Sequence, residues 1–426
     1  MRFAFVTPRY GGEITSAAEH ACRLLAERLS ARHDVEVLTT AARDARTWKN
    51  EYVEGTDRVR GVLVRRFAVS QPHDAATFQE LSDRLFAAPR SQEDELEWVR
   101  HLGPVAPGLI DHLRRQHRSF DALVFFSLFH ATTVQGLPVA PERSILFPSL
   151  RLVPALRFAL WPDLIASVRA TGLMSSFERR LLRAFLRVTP AREEIVGVGV
   201  EPAHRQSYPR HQQDPADDAA VDEWLEGADA PASADGERGD AERGVPFRRR
   251  HRLYGTFALY GGRVEPDNGC EEMLDYFDSY VSSGGDASLV LMGIKMMRVP
   301  DEPYLTQAGV LADRERATAF EAADVTIAPG YDDPLALSVL ESLAVGTPVL
   351  ASARSDAAVE HVRRAGGGLY YANRGEFVEC LQTFMTRVRL REQLGDSGRQ
   401  YVDQHCRWDA VLGRFERLVA TLKPRG

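Results

Sequence analysis

The chain has 426 residues and a formal net charge of −7 at neutral pH. This length is too great for one ordinary core and suits two α/β domains, while the acidic balance gives no electrostatic support for a nucleic-acid partner. Four cysteines lie far apart with no C-x-x-C pair, which favours buried thiols of a cytoplasmic protein over a disulfide or zinc framework. No run of 18 apolar residues occurs and the chain opens on a strand pattern, so we expect neither a membrane span nor a signal peptide.

The first elements follow a β-α-β order. The pattern predicts a strand over residues 2–7, a helix over 13–32 and a strand over 34–40. Such units bind ligands at the C-terminal ends of their strands, so Gly11 and Gly12 in the first loop are candidate cleft residues. The same pair would suit an ordinary tight turn. The loop also lacks the G-x-G-x-x-G fingerprint, which weakens the case for an NAD-dependent oxidoreductase.

Three more strands are predicted over residues 62–67, 122–127 and 144–148. His130 and Arg151 follow the second and the third of these strands, so both are candidate cleft residues. For His130, the simpler interpretation is a histidine at a strand end whose ring nitrogens are hydrogen-bonded within the fold.

Residues 167–187 alternate arginine with leucine. The pattern predicts a basic amphipathic helix. Such a helix would lie on an anionic membrane surface, at the inner face of the membrane, or would present its arginines to solvent as the outer face of an ordinary helix.

A change of composition separates the two halves of the chain. Residues 211–243 contain eleven acids against two arginines and few apolar side chains. Such a segment cannot bury enough surface to offset the entropy of ordering it, so the sequence predicts a largely disordered insertion.

Strands and helices alternate again after the insertion, which predicts a second doubly wound parallel sheet. We therefore divide the chain into an N-terminal Rossmann-like domain, an acidic insertion or linker, a C-terminal Rossmann-like domain and a last helix that crosses back toward the first domain. The corresponding ranges are 1–202, 203–250, 251–406 and 407–426.

The most informative stretch is a β-loop-α-β unit in the second domain. A buried strand is predicted over Val325–Ala328, a helix over Leu337–Val345 and a strand over 348–351. The free amides at the start of the helix suit an anion or sugar hydroxyls, and a carboxylate one turn inside it can accept hydrogen bonds from a ribose diol. The simpler alternative is that the loop acid merely caps the helix and that the helix acid, Glu341, is a solvated surface residue.

The spacing of these acids carries a family resemblance. Asp333-x7-Glu341, followed by Ser-Leu-Ala-Val-Gly-Thr-Pro-Val, resembles the E-x7-E signature of family 4 glycosyltransferases, which are retaining enzymes of GT-B fold. In that family the loop reads Glu-Pro-Phe-Gly-Leu. The phrase Gly262-Arg263-Val-Glu-Pro-Asp-Asn268-Gly269 resembles the family's G-R-x-x-x-x-K-G loop, and Pro-Arg-Tyr-Gly-Gly-Glu resembles its acceptor-domain opening.

The resemblance implies two Rossmann-like doubly wound domains that face each other across a cleft. It implies transfer of a sugar, hexosyltransferase-like, from a nucleotide-diphosphate donor to a glycan, lipid-linked or small-molecule acceptor, with retention of configuration. A bacterial, cytoplasmic enzyme of polysaccharide biosynthesis would fit this description. No bound metal or other cofactor is implied, and no side-chain nucleophile is required.

The resemblance also assigns residues to the cleft. Asp333 and Arg263 would be catalytic, and Gly11, Gly12, His130 and Arg151 would lie on the acceptor side. Pro334 would contribute no N–H to the donor site. The implied donor-binding residues are Asn268, Gly269, Asp332, Pro334, Leu335, Ala336, Leu337 and Glu341.

Four departures from the family pattern leave a second hypothesis open. Asn268 replaces the diphosphate lysine, Asp333 replaces the leading glutamate, Arg151-Leu152 replaces a His-Asp pair, and Ser16-Ala17 replaces Gly-Gly. Together they would permit a catalytically impaired GT-B protein that acts as a binding or scaffolding partner of an active transferase.

Overall fold

The protein is described by a computed structural model that covers residues 1–14, 16–201, 244–330 and 333–422. Within these residues the chain forms two separate sheets, of eight and six strands. Most of the predicted insertion, and therefore its predicted disorder, lies outside the described residues. Its last part forms a helix over Val245–Arg250.

Most strands of the first sheet are buried and largely apolar, whereas the strand at one edge is exposed and the strand at the other edge is half-buried. Their spatial order is β3-β4-β2-β1-β5-β6-β7-β8, and all pairs are parallel except the β3–β4 hairpin at one edge. The strands are β1 (Arg2–Val6), β2 (Asp34–Thr40), β3 (Gly55–Val59), β4 (Val62–Phe67), β5 (Ala122–Phe126), β6 (Ser144–Phe147), β7 (Ala170–Leu173) and β8 (Glu193–Ile195).

The second sheet is parallel throughout. Its order is β11-β10-β9-β12-β13-β14, so the direction of winding reverses between β9 and β12, where ligands bind in open α/β sheets. The strands are β9 (Phe257–Gly261), β10 (Ser288–Met292), β11 (Leu305–Gly309), β12 (Val325–Ala328), β13 (Val349–Ser352) and β14 (Gly368–Tyr371).

Helices cover both faces of each sheet, as the doubly wound pattern requires. In the first half they are α1 (Ala17–Leu29), α2 (Ala75–Ala87), α3 (Gln92–Leu102), α4 (Pro107–Gln116), α5 (Ala131–Gly136), α6 (Leu160–Ser167) and α7 (Ser176–Arg180). In the second half they are α8 (Val245–Arg250), α9 (Cys270–Ser282), α10 (Asp313–Ala322), α11 (Leu337–Val345), α12 (Asp356–Ala365), α13 (Arg374–Thr386), α14 (Val388–His405) and α15 (Trp408–Ala420).

The fold class predicted from the sequence is confirmed. Two doubly wound parallel sheets are present, and the central unit has the predicted strand Val325–Ala328 and helix Leu337–Val345. The domain boundaries stay predictions. The parallel description needs one correction, because the exposed strand β3 joins the first sheet antiparallel as the partner of β4.

The predicted amphipathic helix over residues 167–187 is wrong. The short apolar strand β7 lies inside this range, and α7 has only five residues before the chain continues as a π-helix over Leu181–Phe185. The arginines of this range therefore do not share one continuous helix face. Within the described part of the chain, every helix is too short or too polar to traverse a lipid bilayer.

Two sets of contacts join the domains. The last helix, α15, packs against the first sheet, where the Phe415 ring meets Phe3 edge-on at 5.7 Å between centroids, and Arg414 Nε donates to the Val196 carbonyl at 2.9 Å. At the other contact, the Glu360 carboxylate of α12 accepts the Ser176 N–H at the start of α7. These contacts hold the two domains together.

Candidate functional site in the cleft

Two loops of the second domain meet directly beside the topological switch point. Gly269 has a φ of +73°, and a β-carbon placed there would lie 2.7 Å from the Pro329 carbonyl oxygen. Only glycine satisfies both conditions at low cost. This contact brings the loop after β9, which carries Arg263 and Asn268, against the loop after β12, which carries Asp333.

The side chains of the predicted diphosphate-binding loop form hydrogen bonds with one another. The Arg263 guanidinium is about half exposed and donates from Nε and Nη2 to Glu265 Oε1, at 3.0 and 2.5 Å. Asn268 Nδ2 lies 3.0 Å from that same carboxylate oxygen and 3.0 Å from the Arg263 carbonyl. Glu265, which the sequence analysis did not single out, therefore neutralises the only charge that the two predicted clamp positions retain.

The loop acid closes a turn just before the start of α11, without capping the helix itself. Asp333 Oδ1 accepts the backbone N–H groups of Leu335 and Ala336, at 3.2 and 3.0 Å. Two of the amides predicted to hold sugar hydroxyls are thus engaged by Asp333, and Pro334 has none to offer. Asp332 lies outside the described residues.

Ala336, just before Leu337 begins α11, adopts a left-handed conformation with a φ of +45°. The family has glycine at this place in its loop, and glycine takes a positive φ without the steric cost that a β-carbon brings. At this place the chain therefore carries a β-carbon in a backbone conformation that strains it.

Glu341 forms an ion pair instead of standing alone in solvent. Arg316 Nε lies 3.0 Å from both Glu341 carboxylate oxygens, and Arg316 Nη2 lies 2.6 Å from Oε2. The two side chains are 27% and 31% exposed. The carboxylate is accessible, and the guanidinium fixes its orientation.

The first-domain candidates lie on the loops after three neighbouring strands, β1, β5 and β6, and so share one edge of the sheet. A β-carbon on Gly11 would lie 2.5 Å from the Tyr52 hydroxyl, whereas one on Gly12 would have the Arg60 Nε at 3.9 Å. Arg151 is exposed at this edge and is close enough for its charge to affect His130.

His130 precedes α5 and is held by its neighbours. Its Nδ1 is 2.7 Å from the Ser127 hydroxyl, and its ring meets Trp48 edge-on at 5.8 Å between centroids. Loss of hydration lowers the pKa of His130 to about 4. The positive charges of Arg9 and Arg151 contribute to this lowering, and the charge of Glu19 opposes it. His130 is therefore a neutral imidazole at physiological pH.

A buried carboxyl group supports the loop that carries Arg151. Glu178 is 1% exposed, and its two oxygens accept the N–H groups of Leu150 and Met174, at 2.9 and 2.6 Å. Burial raises the pKa of Glu178 to about 7, although both hydrogen bonds favour the ionised form. This residue joins the ends of β6 and β7 from below the cleft.

The sequence analysis missed Glu265, Arg316 and Glu178. Glu265 sits two residues from Arg263, and that proximity was an available signal. Arg316 and Glu341 are 25 residues apart and belong to different helices, so no local spacing indicates their pairing. Among the described residues, no cluster of histidine, cysteine and acidic side chains has the makings of a metal site, and the expected absence of a metal stays a prediction.

Comparison with known proteins supports this geometry. Residues 247–401 match the family model described as glycosyl transferases group 1. A 136-residue stretch is 31% identical to the GDP-mannose-dependent alpha-(1-6)-phosphatidylinositol dimannoside mannosyltransferase of Mycobacterium tuberculosis, and it covers 30% of this chain and 35% of that protein. The chain thus matches about a third of the length of this curated relative.

Solved structures match over almost the whole chain at low identity. Sucrose-phosphate synthase from Thermosynechococcus elongatus has a TM-score of 0.66 at 14% identity, with 99% of this chain and 98% of that chain covered. HepE from Anabaena, in complex with UDP, has a TM-score of 0.64 at 13% identity, with 99% of both chains covered. An E. coli trehalose-6-phosphate protein bound with UDP-2-fluoro glucose has a TM-score of 0.62 at 12% identity, again with 99% of both covered.

Two Rossmann-like domains that face each other across a cleft define the class of GT-B proteins, and the chain has this fold. Residues 247–401 of its second domain match the model of the group 1 glycosyl transferases. This match, together with the GT-B fold, confirms the resemblance to family 4-like glycosyltransferases that was stated from the sequence.

Proposed function

We propose that this protein transfers a sugar from a nucleotide-diphosphate donor to a glycan, lipid-linked or small-molecule acceptor, with retention of configuration. The observation that carries the proposal is the accessible Glu341 carboxylate on α11, set within the group 1 domain beside the two contacting loops. A carboxylate in this place can accept both hydroxyls of a ribose.

The remaining roles follow the geometry of the two loops. Arg263 would hold the diphosphate, because it is half exposed and needs only to exchange Glu265 for a phosphate. Asp333 would meet the sugar hydroxyls. To use the amides of Leu335 and Ala336 as well, the donor must compete with the bonds that Asp333 now makes to them.

The reaction needs no side-chain nucleophile. The bond between the anomeric carbon and the donor phosphate oxygen breaks, and the acceptor oxygen forms a bond to the same carbon on the same face. The proton of the acceptor hydroxyl passes to the departing phosphate oxygen. The protein's contribution is to position both substrates and to stabilise the charge on the leaving diphosphate.

The acceptor class is supported by a relative's name. The mycobacterial relative is described as acting on a phosphatidylinositol dimannoside, which is a lipid-linked glycan. A lipid-linked acceptor would be met at the inner face of the membrane by a cytoplasmic protein in peripheral contact with it.

Isothermal titration of the protein with UDP and with GDP tests the donor site. We expect micromolar binding of one nucleotide and a loss of at least tenfold in affinity in Glu341→Ala, because a hydrogen bond to a charged group is worth about 1.5–3 kcal/mol. Glu379→Ala, an exposed glutamate on α13 of the same domain, is the matched control and should bind as the wild type does.

The competing class is the catalytically impaired GT-B scaffold. Failure of the folded protein to bind either nucleotide would contradict the transferase and favour that class. Binding that is unaffected by Glu341→Ala would show that the donor lies elsewhere in the cleft.

A further inference from the structure

The partner of Glu341 belongs to another helix. Arg316 lies on α10, which precedes β12, and its guanidinium contacts both oxygens of the Glu341 carboxylate, with distances of 2.6 to 3.0 Å. A planar fork that meets two oxygens fixes the plane of the carboxylate as well as its position. A single-point contact from a lysine would leave that plane free.

Both ends of this pair are anchored in the core. The Arg316 guanidinium carbon lies 5.3 Å from the centroid of the fully buried Phe320 ring. The Phe320 carbonyl accepts the Thr347 hydroxyl at 2.7 Å, just beyond the end of α11. Ser342, next to Glu341, has its hydroxyl oxygen 2.8 Å from both Thr326 Oγ1 and the Thr347 carbonyl. The two helices are thereby fixed relative to each other at the pair.

The pair lies near the first domain, because the charge of Arg316 affects His20 on α1. Loss of hydration, together with the charges of Arg23, Arg316 and Arg60, lowers the pKa of His20 to about 4.

The pair leaves room for a diol. A carboxylate offers about four lone-pair positions on its two oxygens, and the guanidinium occupies one side of each oxygen. The remaining positions lie in one plane and can accept two hydroxyl groups at neighbouring carbons. Without Arg316, the carboxylate could rotate, and its uncompensated negative charge would oppose the binding of a diphosphate.

We propose that Arg316 is a positioning residue, which holds the Glu341 carboxylate so that its free lone pairs meet the 2′ and 3′ hydroxyls of the donor nucleotide. The inference rests on the proposed donor site, and it names the selection that this site makes: a ribonucleotide over its 2′-deoxy form.

The test is a comparison of affinities for UDP and 2′-deoxy-UDP, and for GDP and 2′-deoxy-GDP, by isothermal titration. The wild type should prefer whichever ribonucleotide it binds over the 2′-deoxy form by about tenfold or more. In Arg316→Met, which keeps the length of the side chain without its charge, this ratio should fall to about threefold or less. Arg314→Met, two residues away and exposed on the same helix, is the matched control and should keep the wild-type ratio.

Any other outcome of these titrations contradicts the inference. An unchanged ratio in Arg316→Met would overturn it, and so would an equal loss of affinity for both nucleotides, which would place Arg316 on the phosphates or in the fold. If thermal melting shows that Arg316→Met is unfolded, Arg316→Lys replaces it. Lysine keeps the positive charge but not the two-pronged contact of the guanidinium, so the ratio of ribonucleotide to 2′-deoxynucleotide affinity should fall to an intermediate value. A wild-type ratio in this variant would overturn the inference.

The failure of this inference can be told apart from the failure of the proposed function. A wild-type protein that binds no nucleotide overturns both. A wild-type protein that binds nucleotide, with an affinity ratio that does not change in the Arg316 variants, overturns this inference alone.

Discussion

The two domains place their charged side chains differently. In the first domain several acids are almost fully buried, and the clearest case is Glu178, which accepts two backbone N–H groups from different loops. Among the described residues of the second domain, the buried polar side chains are serines and threonines, whereas the acids near the cleft, Glu265 and Glu341, remain partly accessible in ion pairs.

This difference in burial distinguishes acids that support the fold from acids that can take part in ligand binding. A buried carboxylate that loses its partners leaves unpaired polar groups away from water, which costs several kcal/mol. A partly exposed pair is worth about 0–1 kcal/mol, so a ligand can replace one partner at low cost. The first domain therefore presents a fixed edge to the cleft, and the second presents charges that can exchange partners with a donor.

The largest expected effect concerns Glu178. Glu178→Ala should lower the free energy of unfolding by about 3 kcal/mol, because the buried amides of Leu150 and Met174 lose their acceptors. Urea unfolding followed by circular dichroism measures this change, and Glu341→Ala, expected to cost less than about 1 kcal/mol, is the comparison within the second domain. Equal costs for the two variants would break the contrast between the domains.

The same residue gives the stability a pH dependence of known sign. The pKa of Glu178 is raised to about 7 in the folded protein, against 4.5 for an ordinary glutamate, so the folded state binds the proton more tightly. The stabilisation is therefore complete below pH 4.5 and is lost as the pH rises through 7. The difference in unfolding free energy between wild type and Glu178→Gln should shrink over this range, and a difference that does not vary with pH would contradict the assignment.

The variant Asn268→Lys tests whether the charged loop of the second domain binds the diphosphate of a donor. A lysine here restores a positive charge beside Arg263, where the departing diphosphate would lie. We expect about a tenfold faster release of UDP or GDP from the nucleotide sugar, measured without an acceptor by coupled detection of the nucleotide. Asn268→Met is the uncharged control. No gain in the lysine variant would favour the scaffold over the transferase.

Ala336→Gly should have the smallest effect. Glycine removes the steric cost of a positive φ but gains freedom in the unfolded chain, so we expect stabilisation of at most about 1 kcal/mol. Urea unfolding measures the change, and Ala344→Gly, within the helical part of α11, is the control that should be destabilised by a similar amount. A loss of stability in Ala336→Gly would show that the left-handed residue is not strained.

The sequence predicted elements well where local pattern and tertiary burial agree. Strand β12 and helix α11 match their predicted bounds, because a short apolar run and a helix ended by Gly346 are local signals. Strand β3 was missed because its residues are exposed and polar, so it carries no alternation to detect. The helix predicted over residues 167–187 failed because the spacing of arginine and leucine outweighed the short buried strand β7 in the same range.

By itself, the sequence determined the fold class, the positions of the main strands along the chain and the family resemblance, since these depend on local patterns of residues. The order of the strands within each sheet came from the tertiary structure. The pairing of charges was decided by the tertiary structure alone. Arg316 meets Glu341 across 25 residues, and Glu178 meets Leu150 across 28, because parallel strands bring the ends of distant segments to one edge of a sheet. Whether a charged residue binds a ligand or supports the fold depends on its partner and its burial, and neither of these is encoded in the spacing of residues along the chain.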